Sequence, residues 1–197
     1  MSQLQWWASE SFWRKTAIWV TAGSFVALIF LTLDSMSQIS AGSKRVPAYS
    51  VINQRISYVF DDTRKVQAPV IGVEEPLFGK KLTEEEARAL VSRGKLTVQA
   101  KNCMNCHTLL GNGAYYAPDL TKSWLDPYWG SKEIREQQML DFLMNPQDRL
   151  HNGLGRRMPN LRITEAEAQA TVAFLKWMAS IDTNGFPYNF KPIEQEK

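Results

Sequence analysis

Both cysteines of this 197-residue chain lie in one pentapeptide, Cys103-Met104-Asn105-Cys106-His107. Two thiols at this spacing can each add to a vinyl group of one porphyrin, and the next residue then places an imidazole under the iron. A redox-active dithiol would be expected after a strand, whereas residues 83–102 have a helical pattern. A structural zinc site needs two more cysteine or histidine ligands, and His151 is the only other histidine. The pattern therefore predicts haem c attached to Cys103 and Cys106, with His107 as a ligand of the iron.

The sixth ligand of the iron has to come from elsewhere in the chain. A haem that only transfers electrons usually has both axial positions filled, and a thioether opposite histidine raises the reduction potential. Met158 stands between Arg157 and Pro159 in a stretch without periodicity, far enough from the cysteines to close over the haem. The other methionines lie near the N-terminal apolar segment, between the cysteines, or on predicted helices where methionine usually fills a core: Met1, Met36, Met104, Met139, Met144 and Met178. Met158 is the predicted ligand, and His151, another methionine and an open site are the alternatives.

Two further contacts with the haem site are hypotheses from spacing. Pro118 is placed to present its carbonyl oxygen to the far nitrogen of His107, a contact that orients axial imidazoles. Arg156 and Arg157 could pair with the haem propionates, because guanidinium groups match carboxylate geometry. A plain turn proline and solvated surface charge are the corresponding alternatives.

Composition limits the classes of partner. The 23 basic and 20 acidic residues give a net charge of +3 and are scattered along the sequence, so no basic block suggests nucleic acid. With 44% hydrophobic residues the chain can fold around one core with attachments. Since both cysteines are used by the haem, no disulfide remains to stabilise the domain.

The N-terminal part of the chain has the pattern of a membrane anchor. Residues 16–33 contain no charged side chain and would form about 27 Å of helix at 1.5 Å per residue. Trp6, Trp7 and Trp13 fit an interfacial aromatic belt, and Arg14-Lys15 favours a cytoplasmic amino terminus with the remainder of the chain outside. A cleaved signal peptide is the alternative to this retained anchor.

The remaining pattern predicts a mainly α fold. Thr83 and Glu86, like Thr164 and Glu167, have the spacing of a helix-initiating capping box. We predict a single transmembrane helix and a class I cytochrome c domain, with a small extended or β-like insert between them. The predicted elements are strands at 50–60 and 66–73 joined by a turn at 61–65, and helices at 83–102, 131–144 and 164–181. The predicted divisions are 1–40 for the tail and anchor, 41–82 for the insert and 83–197 for the cytochrome c domain.

Three stretches resemble the cytochrome c subunit of bacterial nitric oxide reductase. They are RGKL at 93–96 leading to CMNCHTLLGNGAYYAPDL, then RRMP at 156–159, and FLKWMASIDTNGFP at 174–187. The resemblance covers roughly residues 92–187 and the single anchor. It implies haem c on Cys103 and Cys106, with His107 and Met158 as axial ligands. It also implies that backbone carbonyls of Gly113 and Tyr115 help bind calcium where the loop meets the catalytic subunit.

The resemblance implies electron transfer without a catalytic residue in this chain. Electrons would come from a soluble periplasmic cytochrome c or cupredoxin. They would pass to haem b of a large polytopic catalytic subunit in the bacterial inner membrane, where NO is reduced to N₂O. A free-standing anchored cytochrome shuttle and a subunit of another haem-copper-type complex remain alternatives. A gas sensor or an enzyme acting at its own haem would require that Met158 does not bind the iron.

Overall fold

The N-terminal helix stands apart from the core. In the computed structural model, which describes residues 5–146 and 156–188, helix α1 spans Glu10–Ile39 and none of its side chains is buried. Its N-cap, Ser9, accepts a hydrogen bond from the backbone N–H of Phe12 at 3.2 Å. The helix is longer than the uncharged run, and by length and composition it can cross a membrane. These features fit the predicted anchor.

The predicted insert contains a β-hairpin that packs on this chain's own core. Strands β1 (Gln54–Asp61) and β2 (Val66–Glu74) pair antiparallel. The carboxylate of Asp61 accepts hydrogen bonds from the N–H groups of Thr63 and Arg64 at 2.9 and 3.1 Å, which closes the predicted turn. Tyr58 is buried, and its hydroxyl donates to the carbonyl of Ala179 at 3.0 Å. The hairpin is therefore held against the end of the C-terminal helix.

The cytochrome-like part is built from three helices: α2 (Glu84–Ala100), α3 (Lys132–Met144) and α4 (Glu165–Ala179). Both predicted capping boxes are present. The hydroxyl of Thr83 accepts from the N–H of Glu86 at 3.3 Å, and the Glu86 carboxylate accepts from the N–H of Thr83 at 2.9 Å. The corresponding distances at Thr164 and Glu167 are 3.4 and 2.8 Å. Satisfying these terminal N–H groups fixes where α2 and α4 begin.

Short elements connect the helices. Strands β3 (Thr108–Leu109) and β4 (Asn112–Gly113) form a small ladder after the cysteines. Short 3₁₀ helices lie at Trp6–Ala8, Tyr49–Asn53, Leu77–Gly79, Cys103–Asn105, Ser123–Leu125 and Pro127–Trp129. The mainly helical fold class with a few strands between anchor and domain is confirmed, while the division points at 41 and 83 stay predictions.

Helices α2 and α4 cross at a point where only glycine fits. A Cβ at Gly94 would collide with the carbonyl of Ala170 and would lie 2.8 Å from the Cβ of Phe174. On either side of this point Val91 and Val98 of α2 are buried against α4. The two backbones can therefore approach closely only because position 94 has no side chain.

Gly94→Ala is expected to destabilise the haem-loaded protein by at least about 2 kcal/mol, because overpacking the crossing outweighs the helix propensity that alanine adds. Thermal unfolding followed by circular dichroism measures this change. Ser92→Ala, at an exposed position of the same helix, is the control and should unfold within about 0.5 kcal/mol of the parent. Equal stability of the two variants would show that the crossing is not close-packed.

Candidate haem site

One cavity brings together the residues that the sequence associates with a haem. Cys103, Cys106 and His107 line it after the end of α2, and Met158 lines it from the segment before α4. Most of the remaining wall is apolar and includes Val98, Leu120, Trp129, Phe142, Leu161 and Leu175. An apolar cavity with two thiols, an imidazole and a thioether on its wall fits a covalently attached, axially ligated porphyrin. The residues present therefore fit haem c.

A backbone carbonyl orients the imidazole of His107, the predicted iron ligand. Nδ1 of His107 lies 2.7 Å from the carbonyl oxygen of Pro118, which can only accept, so Nδ1–H donates and Nε2 is left for the iron. This is the contact that the spacing predicts. Burial lowers the pKa of His107, opposed by the Pro118 carbonyl and by Asp119. Burial therefore favours the neutral imidazole, which is the form that binds a metal.

Asp119 holds the loop that carries Pro118, and the sequence reasoning missed this role. Its Oδ2 accepts from the hydroxyl of Thr108 at 2.6 Å and from the N–H of Gly111 at 3.2 Å. Its Oδ1 accepts from the N–H of Thr121 at 2.8 Å. An aspartate whose side chain can accept from the N–H two residues later is a turn signal that could have indicated the last contact. The carboxylate is thereby hydrogen-bonded to residues that lie before and after Pro118 in the chain.

The segment that carries Met158 is attached at two points. A guanidinium N–H of Arg156 donates to the carbonyl of Tyr116. The Cζ atom of Arg156 also lies 4.9 Å from the centroid of the Tyr116 ring. Nζ of Lys101 donates to the carbonyl of Arg162 at 3.2 Å. These contacts keep the half-buried Met158 beside the cavity. Its axial role stays a prediction.

The other candidate iron ligands and haem contacts lie in different places relative to the cavity. Met139, assigned to the core from sequence, is buried and also lines the cavity from α3. His151 lies outside the described residues. Arg156 and Arg157 are exposed residues at the cavity, and their pairing with propionates stays a prediction.

The Gly-Ala-Tyr-Tyr loop is exposed next to the cysteines. Gly113 has φ +128°, and a Cβ there would collide with the carbonyl of His107. Tyr115 is 81% exposed, and its hydroxyl donates to the carbonyl of Gly111 at 3.0 Å. Within the described residues no group of three or more His, Cys, Asp or Glu side chains could hold a metal ion. Calcium binding through the carbonyls of Gly113 and Tyr115 therefore stays a prediction.

Comparison with known proteins identifies the family. The cytochrome c family model matches residues 91–179, which include both cysteines, His107 and Met158. The C subunit of nitric oxide reductase from Stutzerimonas stutzeri is 35% identical over 117 residues, 58% of this chain and 76% of that protein. Its counterpart from Paracoccus denitrificans is 33% identical over 112 residues, 56% of this chain and 73% of that protein. The chain belongs to the family of nitric oxide reductase C subunits. As a member with a cytochrome c domain it binds haem c covalently, which confirms the cofactor predicted from the pentapeptide.

Asp119→Asn is expected to destabilise this cytochrome by about 1–3 kcal/mol, because an amide cannot accept all three hydrogen bonds and leaves a buried donor unpaired. Chemical unfolding followed by the haem absorption measures the loss. Asp62→Asn, in the exposed hairpin turn, removes one solvated ion pair with Lys65 and should change stability by no more than about 0.5 kcal/mol. If Asp119→Asn is as stable as Asp62→Asn, the carboxylate does not hold the loop.

Proposed function

We propose that this chain is the membrane-anchored electron-transfer subunit of a nitric oxide reductase. Its haem c would take single electrons from a periplasmic donor and pass them to haem b of a catalytic subunit that reduces NO to N₂O. The observation that carries the proposal is that His107 and Met158 line the same cavity as the two cysteines. When bound, the haem supplies one-electron redox chemistry.

The chain's own residues support transfer rather than catalysis at this haem. The Pro118 carbonyl holds His107, and the contacts of Arg156 and Lys101 hold the Met158 segment. Because His107 and Met158 are already positioned in the fold, they would need to move little if the iron that they are proposed to bind changed oxidation state. With both axial positions filled by protein, NO would have no coordination site here and would react in the partner subunit.

The exposed Gly-Ala-Tyr-Tyr loop is the proposed contact with the large polytopic haem b subunit. The aromatic rings of Tyr115 and Tyr116 are exposed, as expected of side chains that become buried in a stable interface. Calcium at this interface would be bound by the carbonyls of Gly113 and Tyr115, since Ca²⁺ prefers oxygen ligands.

The proposed topology has the haem domain in the periplasm. Arg14 and Lys15 favour a cytoplasmic amino terminus, and α1 then leads the chain through the inner membrane. On the periplasmic side the donor would be a soluble cytochrome c or a cupredoxin. Attachment of haem c outside the cytoplasm requires the same orientation.

Met158→Ala is expected to open the sixth coordination position. The weak long-wavelength absorption of thioether-ligated ferric haem should disappear, the midpoint potential should fall, and the ferrous protein should bind carbon monoxide. Met139→Ala is the matched control, because Met139 also lines the cavity, and it should retain the absorption. Loss of the absorption in Met139→Ala with retention in Met158→Ala would reverse the assignment.

Isolation of the protein from native membranes in mild detergent tests whether it forms a complex with the proposed catalytic subunit. We expect a haem b-containing polytopic subunit to copurify and the complex to consume NO with a reduced periplasmic cytochrome c as donor. A chain that is repeatedly isolated alone, with no NO consumption in any fraction that contains it, would instead favour an anchored shuttle.

A further inference from the structure

Lys122 carries a buried amine beside the haem cavity, and the proposed function does not use it. Its side chain is only 2% exposed, although the nearby Leu120 and Ser123 both line the cavity. Nζ donates to the carbonyl of Ile181 at 2.7 Å and to that of Ala179 at 3.3 Å. The β1–β2 hairpin covers it, with Nζ 4.8 Å from the centroid of the Tyr58 ring.

The surroundings of Lys122 compensate its charge only partly. Among the described residues no carboxylate lies within ion-pair distance of its Nζ. Asp182, beyond the end of α4, is already paired with Arg64 at 2.7 Å. Asp119 is occupied by its three hydrogen bonds. Burial consequently lowers the pKa of Lys122 to about 7, opposed by the more distant charges of Asp182 and Asp119.

A haem that gains an electron becomes less positive by one unit, which favours a proton on a nearby amine. We propose that Lys122 is a redox-linked proton-binding site of this cytochrome. Its neutral amine takes a proton from solvent and forms a new N–H bond when a donor reduces the iron. The same proton returns to solvent when the electron leaves for the acceptor. The proposal depends on haem c attachment and not on the identity of the donor or of the partner subunit.

The expected size of the change in proton affinity follows from Coulomb's law. At an effective dielectric constant of about 20, a unit charge that is not in direct contact with the amine changes its proton affinity by on the order of tenfold. A tenfold higher affinity in the reduced state lowers the midpoint potential by about 59 mV between the acid and alkaline plateaus. The fall should be centred near neutral pH, because Lys122 is protonated in both oxidation states at low pH and neutral in both at high pH.

The test is a spectroelectrochemical titration of the haem-loaded, detergent-solubilised full chain between about pH 5.5 and 9.5, a range that brackets the titration of Lys122. Lys122→Gln keeps donors for the two carbonyls but cannot titrate, so its midpoint potential should lose the step near neutral pH.

Lys176→Gln is the matched control. Lys176 is fully buried on α4 and its pKa is lowered to about 8, but its Nζ donates to the carbonyl of Glu75 and it faces the carboxylate of Glu136. We expect the control to retain the step.

A parent protein without a pH-dependent step overturns the proposal, and so does a step that persists unchanged in Lys122→Gln. A step that is lost equally in both variants also overturns it, because it would then reflect general damage. If Lys122→Gln fails to incorporate haem, proton uptake by the unmodified protein decides. When the haem is reduced in weakly buffered solution near pH 7, the protein should take up a fraction of a proton per haem from the solution, which an indicator dye measures. The absence of proton uptake would contradict the proposal.

Discussion

The close crossing of α2 and α4 at Gly94 is the constraint on which the haem site depends. Because the backbones meet there, the end of α2 and the start of α4 lie on one side of the molecule, and Val98 and Leu175 become walls of the same cavity. Covalent attachment would fix the porphyrin to the residues that follow α2. The loop before α4 then needs only a short path to bring a second ligand to the iron.

Around that constraint, charged side chains and backbone carbonyls together position the residues predicted to bind the iron. Asp119 fixes the carbonyl of Pro118, and this carbonyl fixes His107. The carbonyl of Tyr116 holds the segment that carries Met158, because it accepts a hydrogen bond from Arg156. A site whose predicted ligands are held by the fold in this way suits rapid electron transfer, since they would need to move little. The β1–β2 hairpin adds a second layer, because it encloses Lys122 through the ring of Tyr58.

Local signals made much of this structure predictable from sequence. The pentapeptide at 103–107, the capping boxes and the hairpin turn at Asp61 each depend on neighbouring residues, and each is where the sequence indicates. Contacts across the chain were missed for a physical reason. Lys122 is buried by residues more than fifty positions away, and the cavity position of Met139 follows from how α3 packs on α4. Neither leaves a periodic pattern in the sequence.

The central claim is that electrons reach NO through this haem. The most direct measurement follows the oxidation state of haem c after the reduced, purified complex is mixed with NO in a stopped-flow instrument. Haem c should be reoxidised at the rate of NO consumption in the complex, whereas the isolated chain should stay reduced under the same conditions. A complex that consumes NO while its haem c remains reduced would contradict the claim.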